Sequence, residues 1–367
     1  MPPVFFSYHY LIYKKFKNKC MKKLSLLIAV VTIVSNAAFA KIWRVNNNTG
    51  VNANFTTLQD AHDGAASGDT IYLESSATNY GGLTCSKKLI IIGTGYLLDQ
   101  NQGLQAFTLP SQVTTINLNS GSSGTIIDGI FVINISTITI NSLSDIIIRR
   151  CYFAYSGGTS IVDYYTGNIA INGAGSNIFI TQNFDVKISN SGTYTGILIS
   201  NNYLAANGYA GDAATETCVQ LSPTTVAIIK NNILRRGVLS ASNSNISNNI
   251  MYSGSITGSG NLIANNIGNG TQFGTTDGNK SNVDMTTVFN FTGSSDAAWK
   301  LKAGSPAIGA GYGSTNQNPV DCGMFGGSTP YALSGIPAIP SIYFFANQPV
   351  GSNSDPIDVQ IKVRSNN

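Results

Sequence analysis

Charge is scarce: Asp, Glu, Lys and Arg make up 10% of the 367 residues, where globular chains carry about a quarter. Disordered chains combine high net charge with few branched apolar residues. This one is 43% hydrophobic with a net charge of only +4, so disorder is excluded. Histidine is nearly missing, with two residues, of which only His62 lies beyond the first 40. One histidine leaves no His-Cys metal cluster and weighs against a nucleophilic triad, because His62 falls on a predicted helix and is expected to be exposed there. The five cysteines include no C-x-x-C pair. There is no G-x-S-x-G, no H-E-x-x-H and no phosphate-binding glycine loop before a helix.

The small positive balance is local. Lys14, Lys15, Lys17, Lys19, Lys22 and Lys23 precede the apolar run Leu24 to Val34, and Ala38-Phe39-Ala40 follows. That order is the basic, apolar and small-residue series of a secretory signal, with Met21 as the natural start and residues 1–20 as an upstream extension. Cleavage after Ala40 would leave 15 basic against 17 acidic residues. No cluster of Lys and Arg remains to hold a polyanion, so nucleic acid is not an expected partner. The expected location is secreted or cell surface.

What the chain has is a repeat. Ile178-Phe179-Ile180-Thr181-Gln182-Asn183 returns as Ile197-Leu198-Ile199-Ser200-Asn201-Asn202 and as Ala227-Ile228-Ile229-Lys230-Asn231-Asn232. Ile246-Ser247-Asn248-Asn249 and Ile263-Ala264-Asn265-Asn266 continue it. Ile146-Ile147-Ile148-Arg149-Arg150-Cys151 fits the frame with cysteine last, and Ile126-Ile127-Asp128-Gly129 is a weaker copy. From Cys151 onward the intervals are 32, 19, 30, 17 and 17 residues. Alternation inside each unit predicts a strand, and asparagine tolerates the left-handed backbone of a tight bend. Strands that stack in parallel keep their register while the connecting loops vary in length. Stacked asparagines would then bond to one another between turns. Antiparallel hairpins in a β-sandwich are the alternative, but they favour Asn-Gly or Asp-Gly turns.

Ahead of the repeat, Thr56 and Gln59 stand at capping-box spacing, with Leu58, Ala61 and Ala65 on one helical face and Gly68-Asp69 as the expected stop. Strands are predicted at Thr70–Leu73 and at Lys88–Gly93. The run from Thr56 through Ser67-Gly68-Asp69-Thr70-Ile71-Tyr72-Leu73 to Leu89-Ile90-Ile91-Ile92-Gly93 resembles the N-terminal cap of right-handed parallel β-helix proteins, the pectin-lyase-like fold. Leu301-Lys302-Ala303-Gly304-Ser305-Pro306-Ala307-Ile308-Gly309-Ala310-Gly311 and Asp321-Cys322-Gly323-Met324-Phe325-Gly326-Gly327 resemble the closing motif of secreted β-helix proteins of Gram-negative bacteria. That motif often has aspartate where this chain has Gly309. The fold expected is all-β: a right-handed parallel β-helix solenoid with an N-terminal capping helix and a small C-terminal β extension. The expected layout is 1–40 extension and signal, 41–335 β-helix, and 336–367 a proline-containing linker with a terminal hairpin. At about 20 residues per turn, Cys85, Cys151 and Cys218 fall some three turns apart. That exceeds the ~7 Å limit for a disulfide, so Cys85, Cys151, Cys218 and Cys322 are expected to be free, mostly buried thiols.

The resemblance implies a fold that carries lyases, hydrolases, esterases and adhesins alike. Its lyases hold Ca²⁺ on carboxylates from adjacent turns. Asp163, Asp185 and Asp212, with Lys187 as a base, are the one spread of that kind, yet they stand 12, 2 and 10 residues past their repeat ends. The adjacent aspartates and Gly-His-Gly segment of the hydrolases are missing, as is an esterase set of two aspartates and an arginine. A binding role is left. The two longest intervals bring Tyr155, Asp163, Tyr164 and Tyr165, and Tyr209, Asp212 and Glu216, where tyrosine faces stack on sugars and carboxylates accept hydroxyl hydrogen bonds. The reading from sequence is thus a non-catalytic secreted or cell-surface protein. It contacts extracellular polysaccharide or serves as a structural or adhesive rod. It is expected to be a monomer with no cofactor. The alternative is a divergent polysaccharide lyase or glycoside hydrolase acting on acidic glycans, the one reading under which Ca²⁺ enters as a cofactor, raising stability or activity.

Overall fold

The computed structural model describes residues 40–154, 166–207, 216–348, 351 and 356–366. The chain divides into two compact units, Met1–Lys41 and Ile42–Asn367. The expected signal falls in the first, outside the described residues but for its last residue, and the fold described is that of the second.

Alternating isoleucines set the architecture. Ten strands pair in one parallel sheet, beginning Ile42–Val45, Thr70–Leu73, Ile90–Ile92 and Ile126–Asp128 and continuing through Ile146–Arg149 and Ala174–Thr181. Thr193–Ser200, Ala227–Lys230, Asn245–Ser247 and Leu262–Ala264 complete it. Their register places Ile71, Ile91, Ile127, Ile148, Ile180, Ile199, Ile229, Ile246 and Ile263 directly one above another. All but Ile263 are fully buried. Each buried isoleucine contributes about 1.5–3 kcal/mol of apolar transfer, and a one-residue slip would turn the whole column to solvent.

Each turn leaves this face through a bend, and two further parallel faces follow. The second is made of short strands such as Phe131–Ile133, Tyr152–Ala154, Tyr203–Ala205, Ile233–Arg236 and Ile250–Met251. Leu83–Cys85, Ile116–Leu118, Thr137–Asn141, Gly167–Asn172, Thr217–Gln220 and Val238–Ser240 lie on the third. Val186–Asn190 joins the two, pairing Val186 with Leu204 and Ile188 with Val219. Three faces of stacked parallel strands make the chain a right-handed parallel β-helix.

The bend uses two adjacent residues for two purposes. Its first residue is left-handed: Arg150, Gln182, Asn201, Asn231, Asn248 and Asn265 have φ between 53° and 59°. The second residue turns inward. Asn183, Asn202, Asn232, Asn249, Asn266 and Asn279 form a continuous ladder, each Oδ1 from Asn202 onward accepting the backbone N–H and the side-chain amide of the preceding rung at 2.9–3.1 Å. Each amide also donates to a strand carbonyl, from Ile148 to Ile263. Cys151 occupies the next rung, its N–H held by Asn183 Oδ1 at 3.0 Å. A buried unpaired amide would cost several kcal/mol; along the ladder every amide is paired.

The left-handed residues do other work. Their side chains hold the C-terminal segment as it runs back along the outside of the coil. Asn265 donates to Ala310 O, Asn231 to Asp321 O, Asn201 to Met324 O and Gly326 O, and Gln182 to Thr329 O and Pro330 O. The strap roofs the outer side of the second face. Phe131, Tyr152, Phe184, Tyr203 and Trp299 stack there in series, with centroids 4.7–5.6 Å apart. Asp296, fully buried, ties the strap's end by accepting from Tyr331 Oη, Ser334 N, Ser294 Oγ and Asn101 Nδ2.

The N-terminal helix α1, Leu58–Gly64, is shorter than expected and begins one residue later. Thr57, not Thr56, is its cap, accepting from Asp60 N. Ala65 closes it, ahead of Gly68-Asp69. Gln59 does not turn back to the cap; its Oε1 accepts Thr84 N at 2.8 Å. His62 is not an exposed helix residue either. It is 4% exposed, because α1 lies against the coil and Ser86 N donates to its Nε2 at 3.1 Å. The four thiols are free and buried.

Candidate glycan-binding groove

Of the residues expected to act, Tyr155, Asp163, Tyr164, Tyr165, Tyr209 and Asp212 lie outside the described residues. Asp185, Lys187 and Glu216 are described. Asp185 sits at a corner with φ 54°, 8% exposed, accepting from Thr166 Oγ1 at 3.3 Å. Lys187 is on the outer side of the third face, level with Asn168. Burial lowers its pKa, and the Glu216 carboxylate opposes that shift. Glu216 is exposed, with its backbone carbonyl on Val238 N. Among the described residues, no group of three His, Cys, Asp or Glu is placed to hold a metal ion.

A groove of about 530 Å³ opens elsewhere, at the N-terminal end of the first face. Its floor comes from strand parity. Arg44 and Tyr72 are paired across neighbouring strands on the outward side, between inward Val45 and Leu73. Asn46 and Glu74 follow at the strand ends. Glu74 is held at both oxygens, Oε1 by Arg44 Nε and Oε2 by Asn46 Nδ2 at 2.7 Å. Asn46 Oδ1 in turn accepts both the backbone N–H and the side-chain amide of Asn48, at 2.8 and 2.9 Å. The carboxylate is therefore fixed in place by neighbours. Burial raises the Tyr72 pKa, so its phenol stays protonated and can donate.

The opposite wall is the linker: Ile336, Pro337, Ile339 and Pro340 line the groove, with Gln105 and Phe107 at its side. Phe107 is 60% exposed, and Gln105 is anchored through Nε2 on Thr94 O at 2.6 Å. Gln105 also borders a second hollow of about 440 Å³, lined by Asp99, Gln102 and the hairpin residues Tyr343, Phe344 and Phe345. An exposed aromatic ring, a phenol, amides and a fixed carboxylate suit a polyhydroxylated ligand. Glu74 is the groove's one lining carboxylate among the described residues, where hydrolysis uses two about 5–9.5 Å apart.

Farther along the first face, the outward position level with Ile92 is Asp128, then Arg149 and Thr181. Arg149 Nη2 meets Asp128 Oδ2 at 2.7 Å. Burial raises the Asp128 pKa, and the two arginines beside it pull the other way. This is a single carboxylate between two arginines.

Sequence reasoning missed the groove. Tyr72 could have been found from its outward parity and Asn46 from the Asn46-Asn47-Asn48 run. Gln105 and Phe107 lie in a loop with no periodicity to place them.

No family model and no curated protein matches the chain. Among solved structures it is similar to a pectin methylesterase from Aspergillus niger, with 14% identity, 61% of this chain and 86% of that one covered, and a TM-score of 0.27. It is also similar to a pectate lyase, with 12% identity, 80% and 98% covered, and a TM-score of 0.29. The identification of the fold rests on the parallel pairing of the three faces.

Proposed function

We propose that this is an exported, non-catalytic β-helix protein that contacts extracellular polysaccharide through the groove at the N-terminal end of its first face. The basic, apolar and small-residue series of residues 14–40 supports export. One observation carries the binding reading: an exposed Phe107 and a protonated Tyr72 flank Glu74, whose two oxygens are already fixed by Arg44 and Asn46. A preorganised polar group beside apolar ring faces binds sugar hydroxyls without a large ordering cost. The tyrosines of the two longest intervals extend the same role.

The test is a glycan array followed by calorimetry on the polysaccharides retained, with product analysis on pectins and alginates. Phe107→Ala and Glu74→Gln are each expected to weaken binding about tenfold, equivalent to roughly 1.4 kcal/mol, with no product released by the native protein. Unsaturated or reducing ends that vanish in Asp185→Ala would establish the lyase or hydrolase instead.

A further inference from the structure

The terminal hairpin pairs Ser341–Asn347 with Val359–Arg364, antiparallel. Its register puts Ile342 opposite Val363, Phe345 opposite Ile361 and Asn347 opposite Val359, so Ile342, Phe345, Val359, Ile361 and Val363 share one face. That face is open: these five are 38–58% exposed. The other face carries Phe344 opposite Lys362 and Ala346 opposite Gln360, with Lys362 Nζ 5.0 Å from the Phe344 ring. The coil grips the hairpin along its first strand, through Ala106 N on Ile342 O at 2.8 Å. Arg364 Nη2 reaches Leu104 O, also at 2.8 Å. Among the described residues no strand lies beyond Val359–Arg364.

We infer that Val359–Arg364 is a self-association edge, and that two copies of this chain pair it antiparallel about a two-fold axis through Ile361. The charge pattern selects this partner. The segment starts with Asp358 and ends with Lys362 and Arg364, so antiparallel pairing with itself sets the acidic end of each copy against the basic end of the other. In this register Val359 faces Val363, Ile361 faces its own copy, Gln360 faces Lys362 and Asp358 faces Arg364. No like charges meet, and the apolar faces join into one. A two-stranded ribbon is marginal alone, whereas a four-stranded sheet with one apolar face is stable. The interface is isologous and closes at two copies. It departs from the monomer expected from sequence, and its test reads mass and cross-linking rather than glycan binding.

The test uses the purified full chain. Light scattering coupled to size exclusion should give twice the monomer mass at micromolar concentration. Ile361→Lys, which sets like charges face to face at a site exposed in the monomer, should give the monomer mass with an unchanged melting temperature. Ile361→Cys should form a disulfide-linked dimer on mild oxidation, since directly opposed residues stand about 4.5–5.5 Å apart, within disulfide reach. Gln360→Cys should not. A native chain that stays monomeric, a dimer untouched by Ile361→Lys, or cross-linking at position 360 but not 361 would each overturn the inference.

Discussion

Removing one rung of the asparagine ladder should cost more than its exposed surface suggests, because its neighbours lose their partners with it. Asn232 is fully buried. Its amide donates to Ile199 O, Lys230 O and Asn249 Oδ1, and its Oδ1 accepts both N–H groups of Asn202. In Asn232→Ala the Asn202 side chain keeps Ile180 O, but its backbone N–H is orphaned. An orphaned buried donor costs about 1–3 kcal/mol and each lost bond about 1. A loss of about 3–5 kcal/mol in urea unfolding is expected. The Asn202 amide should exchange about 10–100-fold faster with solvent, the local equivalent of that orphaned bond. Asn231→Gly is the control. It removes one bond to Asp321 O and keeps the left-handed backbone, so less than about 1 kcal/mol is expected. Asn232→Asp tests the same geometry by charge. One carboxylate oxygen would face three acceptors, which raises the folded-state pKa above the unfolded one. Its penalty should therefore fade in acid and grow as pH rises through the carboxyl range. Equal costs for Asn232→Ala and Asn231→Gly, with no change at Asn202, would refute the ladder as a source of stability.

The thiols should resist a thiol reagent in the native protein and react fully in denaturant. Burial raises the Cys218 and Cys322 pKa values from 9.0 to about 12, so the fold should be favoured below about pH 9 and lose stability between there and about pH 12, as unfolded thiols ionise first; Cys218→Ala should flatten that fall in a melting series. Arg149→Met should destabilise by about 2 kcal/mol, because Asp128 is left buried beside one arginine fewer, and adding Asp128→Asn should restore part of the loss in a double-mutant cycle. Gly335→Ala should loosen the strap, since φ is 54° and a Cβ there would stand 2.3 Å from the Tyr96 ring and 2.6 Å from Arg150 O; protease nicking near residue 335 at temperatures well below global melting is the readout.

The parallel coil could be read from the sequence because its signals are local and repeated. The alternation around Ile180, Ile199 and Ile229 fixes which residues point inward, and the Asn-Asn pairs mark the bends. Intervals of 17 to 32 residues left the stack intact, as loops that swell sideways should. The strap could not be read. Gln182 meets Pro330, Asn201 meets Gly326 and Tyr96 meets Tyr331 across 125 to 235 residues, and nothing periodic joins them. His62 was misplaced for a related reason: a lone histidine on a short helix carries no sign of the Ser86 amide above it. The groove inherits both difficulties, since Tyr72 follows from parity whereas Phe107 and Pro337 arrive from distant irregular segments.

The course of the strap also bears on where a ligand can enter. From Ala310 to Pro330 it follows the left-handed residues from Asn265 to Gln182, so the aromatic stack from Tyr152 to Trp299 is already covered by the chain itself. A polysaccharide could lie on that side only by breaking amide bonds made at each of those bends. Ile336 and Pro337 are still buried against the coil; the strap leaves it from Ala338 on, and Pro337 and Pro340 lack the N–H to pair with a sheet edge. Its departure opens the space between linker and first face, and Tyr72, Glu74 and Phe107 line that space. Replacing Pro337 and Pro340 with alanine should therefore leave the melting temperature within a few degrees and yet weaken glycan binding about as much as Phe107→Ala does. Undiminished binding by that double variant would mean that the linker does not shape the site.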